Sequence, residues 1–432
     1  MALKIIHIIP GSGGSFYCGN CLRDSKYFDA LRKQGHDVIK VPMYLPIFAD
    51  EHDLNDVPVF YGAVSIYLKQ MIPIFRKAPA WFDKLLNAKP VLKYAASKAG
   101  STRANGLEDM TISMLLGEKG KQHEELERMT DWMKDHFKPD IIHLSNALLL
   151  GLAKKLKEKL NVPVVCSLQD EDVWVDVMST ANRKKVWDLM NENSSYTDHF
   201  IAVSDYYSAF SVDRMKIPTD KISSIYIGVD PADYQYINSS GKQRTIGYIS
   251  RMCHENGMDI LVDAFILLKK QKGYEDVKLV LTGGKTGDDT AFLRQIRKNI
   301  VKNNLQDFVD FHSDFEGEGR KEFFSRVSVV SVPVRNGEAF GIYIAESLAS
   351  GIPVVQPSLG AFPEIISKTG GGMIYMKNTP EELSEALKSL IDDRERHSEL
   401  SKDARRGAEQ YLNIHTLAGE MIDAYKRIIE KS

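Results

Sequence analysis

The chain has 432 residues, 43% of them hydrophobic and 26% charged, an ordinary globular balance in a length too great for one core, so two or three domains are expected. With 56 basic against 58 acidic residues the formal net charge is −2, which argues against nucleic acid as the main partner. Four cysteines are too few for a disulfide scaffold, no apolar run approaches the roughly 20 residues of a membrane span, and KIIHIIP from Lys4 is too short for a secretory h-region and lacks a cleavage site, so a reducing cytoplasm is expected.

In chain order, Lys4 to Pro10 reads as a buried strand and Gly11-Ser12-Gly13-Gly14 as a loop opening a helix that ends at Gly35. Asp37 to Met43 is the next strand, completing a β-α-β unit. The glycines let backbone approach a ligand, but position 16 is Phe, so the dinucleotide pattern G-x-G-x-x-G is not met. Cys18 and Cys21 fall at the start of that helix, where a thiol pKa is lowered. A thioredoxin-type redox pair is one reading; the default is two reduced thiols beside a cleft. Zinc with Cys166 and Cys253 is disfavoured, since neither has a second ligand at metal spacing.

From Tyr44 to Asn105 the pattern is irregular and proline-bearing. Over 66–104, lysines and arginines are opposed only by Asp83 and are mixed with Trp81 and Phe82. Such a segment fits peripheral contact with an anionic membrane or a grip on a lipid-linked molecule, or else a solvated face over a local core. Glu118 to His136 reads as a long polar helix, and Pro139–Leu144, Val162–Leu168 and Asp198–Ser204 as strands. Ser239 to Lys242 reads as a linker. A second α/β series then opens with TIGYISR from Thr245, a helix over Met258–Lys270 and KLVLTGG from Lys278. GGKT at Gly283 to Thr286 is not a P-loop, because position 279 is Leu. Val327 to Val334 reads as a buried strand, Ile342 to Ser350 as a helix ended by Gly351, and Ile352 to Gln356 as a further strand. This crossover aims a helix N-terminus at the C-terminal edge of a parallel sheet, where phosphorylated ligands bind. Thr379 to Glu382 is a capping box with Pro at N1, and Thr416 to Lys431 is amphipathic.

Two acids flank the crossover helix. Glu338 stands in the loop before it and Glu346 lies inside it, about 7 Å beyond the N–H groups of Gly341 and Ile342 at 1.5 Å per residue. If those amides hold a diphosphate, Glu346 is placed for ribose hydroxyls and Glu338 for whatever hangs off the far phosphate. A carboxylate beside phosphates is repelled by them, so its partners should be neutral hydroxyls, as on a sugar. The plainer reading is a solvated loop acid and a surface glutamate.

The stretch NGEAFGIYIAESLASGIPVVQPSLG, followed by GAFPEII, resembles the signature of the retaining glycosyltransferases of GT-B fold, family 4 (group 1). Glu338, Phe340, Gly341, Glu346, Ala349, Gly351, Pro353, Val354, Val355, Gly360 and Glu364 match it, and PDIIHLSN and TDHFIAVSDYY resemble N-domain strands of the same family. The resemblance implies an α/β fold of two Rossmann-like β/α/β domains facing each other across a cleft. Residues 1–235 would bind the acceptor, with an insertion at about 45–135; residues 236–408 would bind the nucleotide sugar; 409–432 would be a helix crossing back to the N-terminal domain.

It further implies catalytic roles for Glu338 and Arg251. The donor site would comprise Gly13, Gly14, Arg251, Asn256, Phe340, Gly341, Ile342 and Glu346. No metal is implied, and no cofactor beyond a nucleoside-diphosphate sugar as co-substrate. The other partner is a hydroxyl acceptor on a glycan, a lipid-linked or a small molecule, in the cytoplasm or at the inner face of the membrane. D-x-D at Asp170 to Asp172 is the metal–nucleotide motif of the other large glycosyltransferase fold, but it lies in the half opposite the paired glutamates. The chain departs from the family at Asn256, where Lys is usual, at Gln169, where His is frequent, and at Ile227, where Asn is usual. A catalytically weak relative that binds a nucleotide or glycan and regulates is therefore the second reading, and a thiol redox protein the third.

Overall fold

The computed structural model describes residues 2–10, 17–43 and 107–432. Gly13, Gly14, the basic segment 66–104 and the first part of the expected insertion lie outside the described residues. Two compact units result. The first takes 2–10, 24–43, 107–225 and 418–432; the second takes 17–23 and 226–417.

The first unit is built on a parallel sheet of β1 (Lys4–Ile9), β2 (Asp37–Pro42), β3 (Ile141–Leu144), β4 (Val164–Leu168), β5 (His199–Ala202) and β6 (Ile222–Ser224), in the order β2-β1-β3-β4-β5-β6. Its central strands are mostly apolar because both faces are covered: Ile5, Ile6, Ile8, Ile141, Ile142, Val164 and Val165 are all buried, as are the polar His7, His143 and Ser167 among them. The connecting helices are α1 (Gly19–Lys33), α2 (Glu108–Leu115), α3 (His123–His136), α4 (Ala153–Leu160), α5 (Glu171–Val175), α6 (Thr180–Ser194) and α7 (Asp205–Met215). The long polar helix expected from Glu118 begins only at His123. Two glycines end the pattern there. Gly117 has φ +54°, and a Cβ on Gly120 would meet the Ser113 carbonyl oxygen at 2.0 Å, so the chain turns tightly through both.

The second unit repeats the plan with β7 (Thr245–Ile249), β8 (Lys278–Thr282), β9 (Val309–Phe311), β10 (Val329–Val330), β11 (Val354–Pro357) and β12 (Gly372–Tyr375), all parallel, in the order β12-β11-β10-β7-β8-β9. Its helices are α8 (Met258–Lys269), α9 (Thr290–Lys302), α10 (Gly317–Arg326), α11 (Ile342–Ala349), α12 (Phe362–Thr369), α13 (Pro380–Asp392) and α14 (Arg394–Tyr411). The last helix, α15 (Ile414–Ile429), is counted with the first unit from Ala418 on, and there Tyr425 Oη lies 2.5 Å from His143 Nδ1. Among the described residues no helix is long and apolar enough to cross a membrane.

Three further expectations need correcting. The strand expected over Val327–Val334 pairs only at Val329 and Val330. Pro333 has no N–H, and Val334 N–H turns back to the Val332 carbonyl (2.8 Å), so the buried chain leaves the ladder. Thr379 does cap α13 by accepting from Glu382 N–H, but the Glu382 carboxylate bonds Lys377 N–H (2.7 Å) instead of closing the box. Cys18 and Cys21, expected as reduced thiols, are joined in a disulfide.

Strand order reverses between β7 and β10, and such a switch point opens a crevice at the C-terminal edge of the sheet. Gly257 closes the loop after β7 at φ +69°, where a Cβ would lie 1.9 Å from the Pro333 carbonyl oxygen. Gly257→Ala should therefore cost about 1–2 kcal/mol for the left-handed conformation alone, with the clash added. A fall of several degrees in the thermal midpoint is expected; an unchanged midpoint would refute this placement.

Candidate active site

The loops after β7 and β10 carry Arg251 and the Glu338–Gly341 turn, so the switch point of the second unit gathers the residues singled out from the sequence. Gly341 has φ +87°, which only glycine adopts freely, and a Cβ there would meet Glu338 Oε2 at 2.6 Å and the Tyr343 ring at 2.9 Å. The carboxylate of Glu338 thus lies over the start of α11, whose N-terminus has no side-chain cap. Ile342 is the first helical residue and is buried, so what it offers a ligand is its backbone. Phe340 is likewise buried, with its ring 5.7 Å from that of Tyr226; its contribution to binding is confined to backbone or to packing.

A buried relay fixes Glu338. Val332 N–H donates to Gln356 Oε1 (3.1 Å), Gln356 Nε2 donates to Tyr343 Oη (3.0 Å), and Tyr343 Oη bonds the Glu338 carboxylate. Burial first, and then the charge of Glu338, hold the Tyr343 phenol well above its ordinary pKa, so it stays a donor. The backbone of Glu338 is pinned too, its carbonyl accepting from Ala361 N–H (3.0 Å). The G-x-x-E segment contributes in a second way. Glu364 accepts from Tyr226 Oη at 2.6 Å.

Glu346 is wholly buried, 0% exposed. Tyr17 Oη donates to its Oε2 (2.5 Å), Tyr234 Oη to its Oε1 (2.7 Å), and Arg320 Nε lies 3.3 Å from Oε1. Both tyrosines are pushed well above the ordinary phenol pKa, by burial first and by the Glu346 charge second. A ribose hydroxyl reaches this carboxylate only by replacing one of them. Neither tyrosine nor Arg320 was marked by the sequence, because they come from three other segments of the chain.

Arg251 is engaged by a residue the sequence also failed to mark. Its Nε and Nη2 donate to the two carboxylate oxygens of Asp289 (2.9 and 2.8 Å), and Nη2 is 3.3 Å from Thr286 Oγ1. Burial alone would raise the Asp289 carboxyl, but bonds from Arg251 and Thr286 hold it below its usual value. Asn256, standing where a lysine was expected, spends its amide on Ser250 Oγ (2.7 Å) and so braces the loop. The nearby Cys253 thiol is buried and pushed up to about 12, mainly by that burial.

In the first unit, Gln169 Nε2 donates to the Ser145 carbonyl (2.8 Å). Glu171, the middle residue of the D-x-D, is turned inward: its oxygens accept from Ala147 N–H, Gln169 N–H and Tyr207 Oη, each at 2.9 Å. Burial lifts its carboxyl to about 7, against the lowering effect of those bonds. This acid is part of the scaffold of the unit.

Residues 231–407 match the family described as glycosyl transferases group 1, and residues 115–233 match Glycosyltransferase Family 4. The chain is 24% identical over 309 residues to an uncharacterised glycosyltransferase of Methanocaldococcus jannaschii, covering 68% of this chain and 76% of that one. In three dimensions it is similar to sucrose-phosphate synthase from Thermosynechococcus elongatus, with TM-score 0.71 and 17% identity over 99% of this chain and 100% of that one. It is also similar to Anabaena HepE in complex with UDP and glucose, with TM-score 0.68 and 16% identity over 98% and 99%. The fold class is accordingly α/β of GT-B type.

Glu171 makes the stability of the first unit pH-dependent. Its carboxyl ionises near 4.5 when unfolded and near 7 when folded, so the folded state holds the proton more tightly. The resulting stability is fully present below pH 4.5 and is lost as pH rises through about 7, a change on the order of 3 kcal/mol. Urea unfolding should show this decline, and Glu171→Gln should flatten it. An equally steep decline in the variant would exclude Glu171 as its source.

Proposed function

Because the chain belongs to the glycosyltransferases of group 1 and family 4 type, we propose that it moves a sugar from a nucleoside-diphosphate sugar to an acceptor hydroxyl, with retention at the anomeric carbon. The observation that carries this reading is the arrangement at the switch point: the uncapped N-terminus of α11 with the Glu338 carboxylate held over it. In this reading the amides of Gly341 and Ile342, with Arg251, take the charge that develops on the departing diphosphate, and no metal is needed for it. Glu338 accepts from hydroxyls of the donor sugar as that sugar becomes oxocarbenium-like. Ribose displaces the Tyr17 hydroxyl from Glu346. The UDP and glucose bound by the structurally similar Anabaena protein make a UDP-sugar the first donor to try. The acceptor hydroxyl would be that of a glycan, a lipid-linked or a small molecule.

A second reading is favoured by the charge count. Arg251 is already paired with Asp289, and Asn256 supplies no cation, so the site holds less positive charge than its relatives' pattern provides. A chain of this kind would bind a nucleotide and turn over little. Calorimetry with UDP and a donor-hydrolysis or transfer assay separate the two: tight binding with no release of diphosphate supports the binder.

For the transferase, Glu338→Gln should lower kcat by about 10²–10³-fold. UDP affinity should change little. Tyr343→Phe removes one hydrogen bond to the half-buried Glu338 carboxylate and should lower kcat by roughly 10- to 100-fold at nearly constant KM. If both variants turn over at the parental rate, the site has been misassigned.

A further inference from the structure

An open groove of about 930 Å³ runs along α9 in the second unit, and Arg251, Glu338 and Glu346 are not among its lining residues. Its volume is in the range of about 300–1,000 Å³ common to small-molecule sites. Five cations line it, Lys285, Arg294, Arg297, Lys298 and Lys302, and no acidic side chain does. Some other basic side chains do carry acidic partners: Lys155 with Glu127 and Lys159 with Asp131 in the first unit, Arg326 with Asp310 and Arg335 with Asp259 in the second. Among the described residues, Lys285, Arg294, Lys298 and Lys302 have no acidic partner. In a chain of net charge −2 this concentration is local, and like charges at helical spacing cost a few tenths of a kcal/mol per pair.

We propose that this groove is a second anion site, separate from the donor site, that takes a ligand carrying more than one phosphate group. Arg294 and Lys302 are eight residues apart, about 12 Å along the helix, so a single phosphate cannot engage both ends of the row. The Arg297 guanidinium is stacked on the Phe311 ring at 3.7 Å, which orients its donor edge. Leu293, Met252 and Val301, the last 59% exposed, supply an apolar floor for the organic part of such a ligand. The phosphates belong either to a free polyphosphorylated molecule or to lipid headgroups at an anionic surface. The chemistry recognised is the same, and the proposal stands whether or not the transferase reading does.

The test uses the full chain and the exposed-residue variant Arg294→Glu/Lys298→Glu, with thermal melting to confirm folding. Calorimetry with tripolyphosphate should show binding that weakens as salt is raised, and the double variant should bind at least about tenfold more weakly. UDP affinity should be the same in both proteins, and Arg251→Ala should leave the tripolyphosphate groove signal intact. Sedimentation with phosphatidylcholine vesicles, with and without phosphatidylglycerol, tells the sources apart. Binding to the anionic vesicles alone, lost in the double variant, assigns the site to headgroups. Wild-type protein that binds neither probe, a double variant that binds like wild type, or binding abolished by Arg251→Ala would each overturn the proposal.

Discussion

A carboxylate with no exposure to water, Glu346, is the point on which the second unit turns. Removing such a charge from water costs several kcal/mol unless partners replace the lost hydration. Here the replacements are Arg320 and the hydroxyls of Tyr17 and Tyr234, so the segment before α1, the segment before β7, α10 and α11 all meet at one side chain. The arrangement holds α11 in place, and with it the turn over which Glu338 lies. The sugar contact proposed for Glu338 and the structural cohesion at Glu346 therefore both depend on one short helix and the turn that opens it.

Much of the site was readable in the residues themselves. The helix opens at Ile342 after a glycine of positive φ, and the loops after β7 and β10 carry the motif residues, as their pattern implied. The partners were not readable. Tyr17 stands 329 positions from Glu346, and Tyr234 stands 112 away; no local spacing connects them, and only the crossing order of a parallel sheet brings them together. Asp289 was hidden for a related reason, since an acid at a helix start looks like an ordinary cap. Gln356 did carry a signal: an amide inside the buried run VVQP needs a partner, and Tyr343 and Val332 are those partners. The overlong strand before Glu338 was an error of period, because apolar burial continues past Val330 while the ladder does not.

The cations at the two candidate sites of the second unit are of two kinds. Arg251 is fixed by a bidentate carboxylate and a hydroxyl, so its position costs nothing further when a ligand arrives, although part of its charge is already answered. Those along α9 are long, exposed and acid-free, strong in field and loose in geometry. Fixed groups suit a transition state that forms in one place, and loose ones suit ligands of variable shape.

The early position of Tyr17 has a consequence for how the molecule is made. It leaves the ribosome long before the helix bearing Glu346 has been translated, yet it is counted with the later unit and donates to that carboxylate. Until synthesis passes residue 346, Tyr17 has no carboxylate to bind, and the first-made segment waits on the last-made half. Cutting the gene at the apparent midpoint would for the same reason give a C-terminal fragment with a buried acid short of one partner, even though no residue of the fragment had been altered.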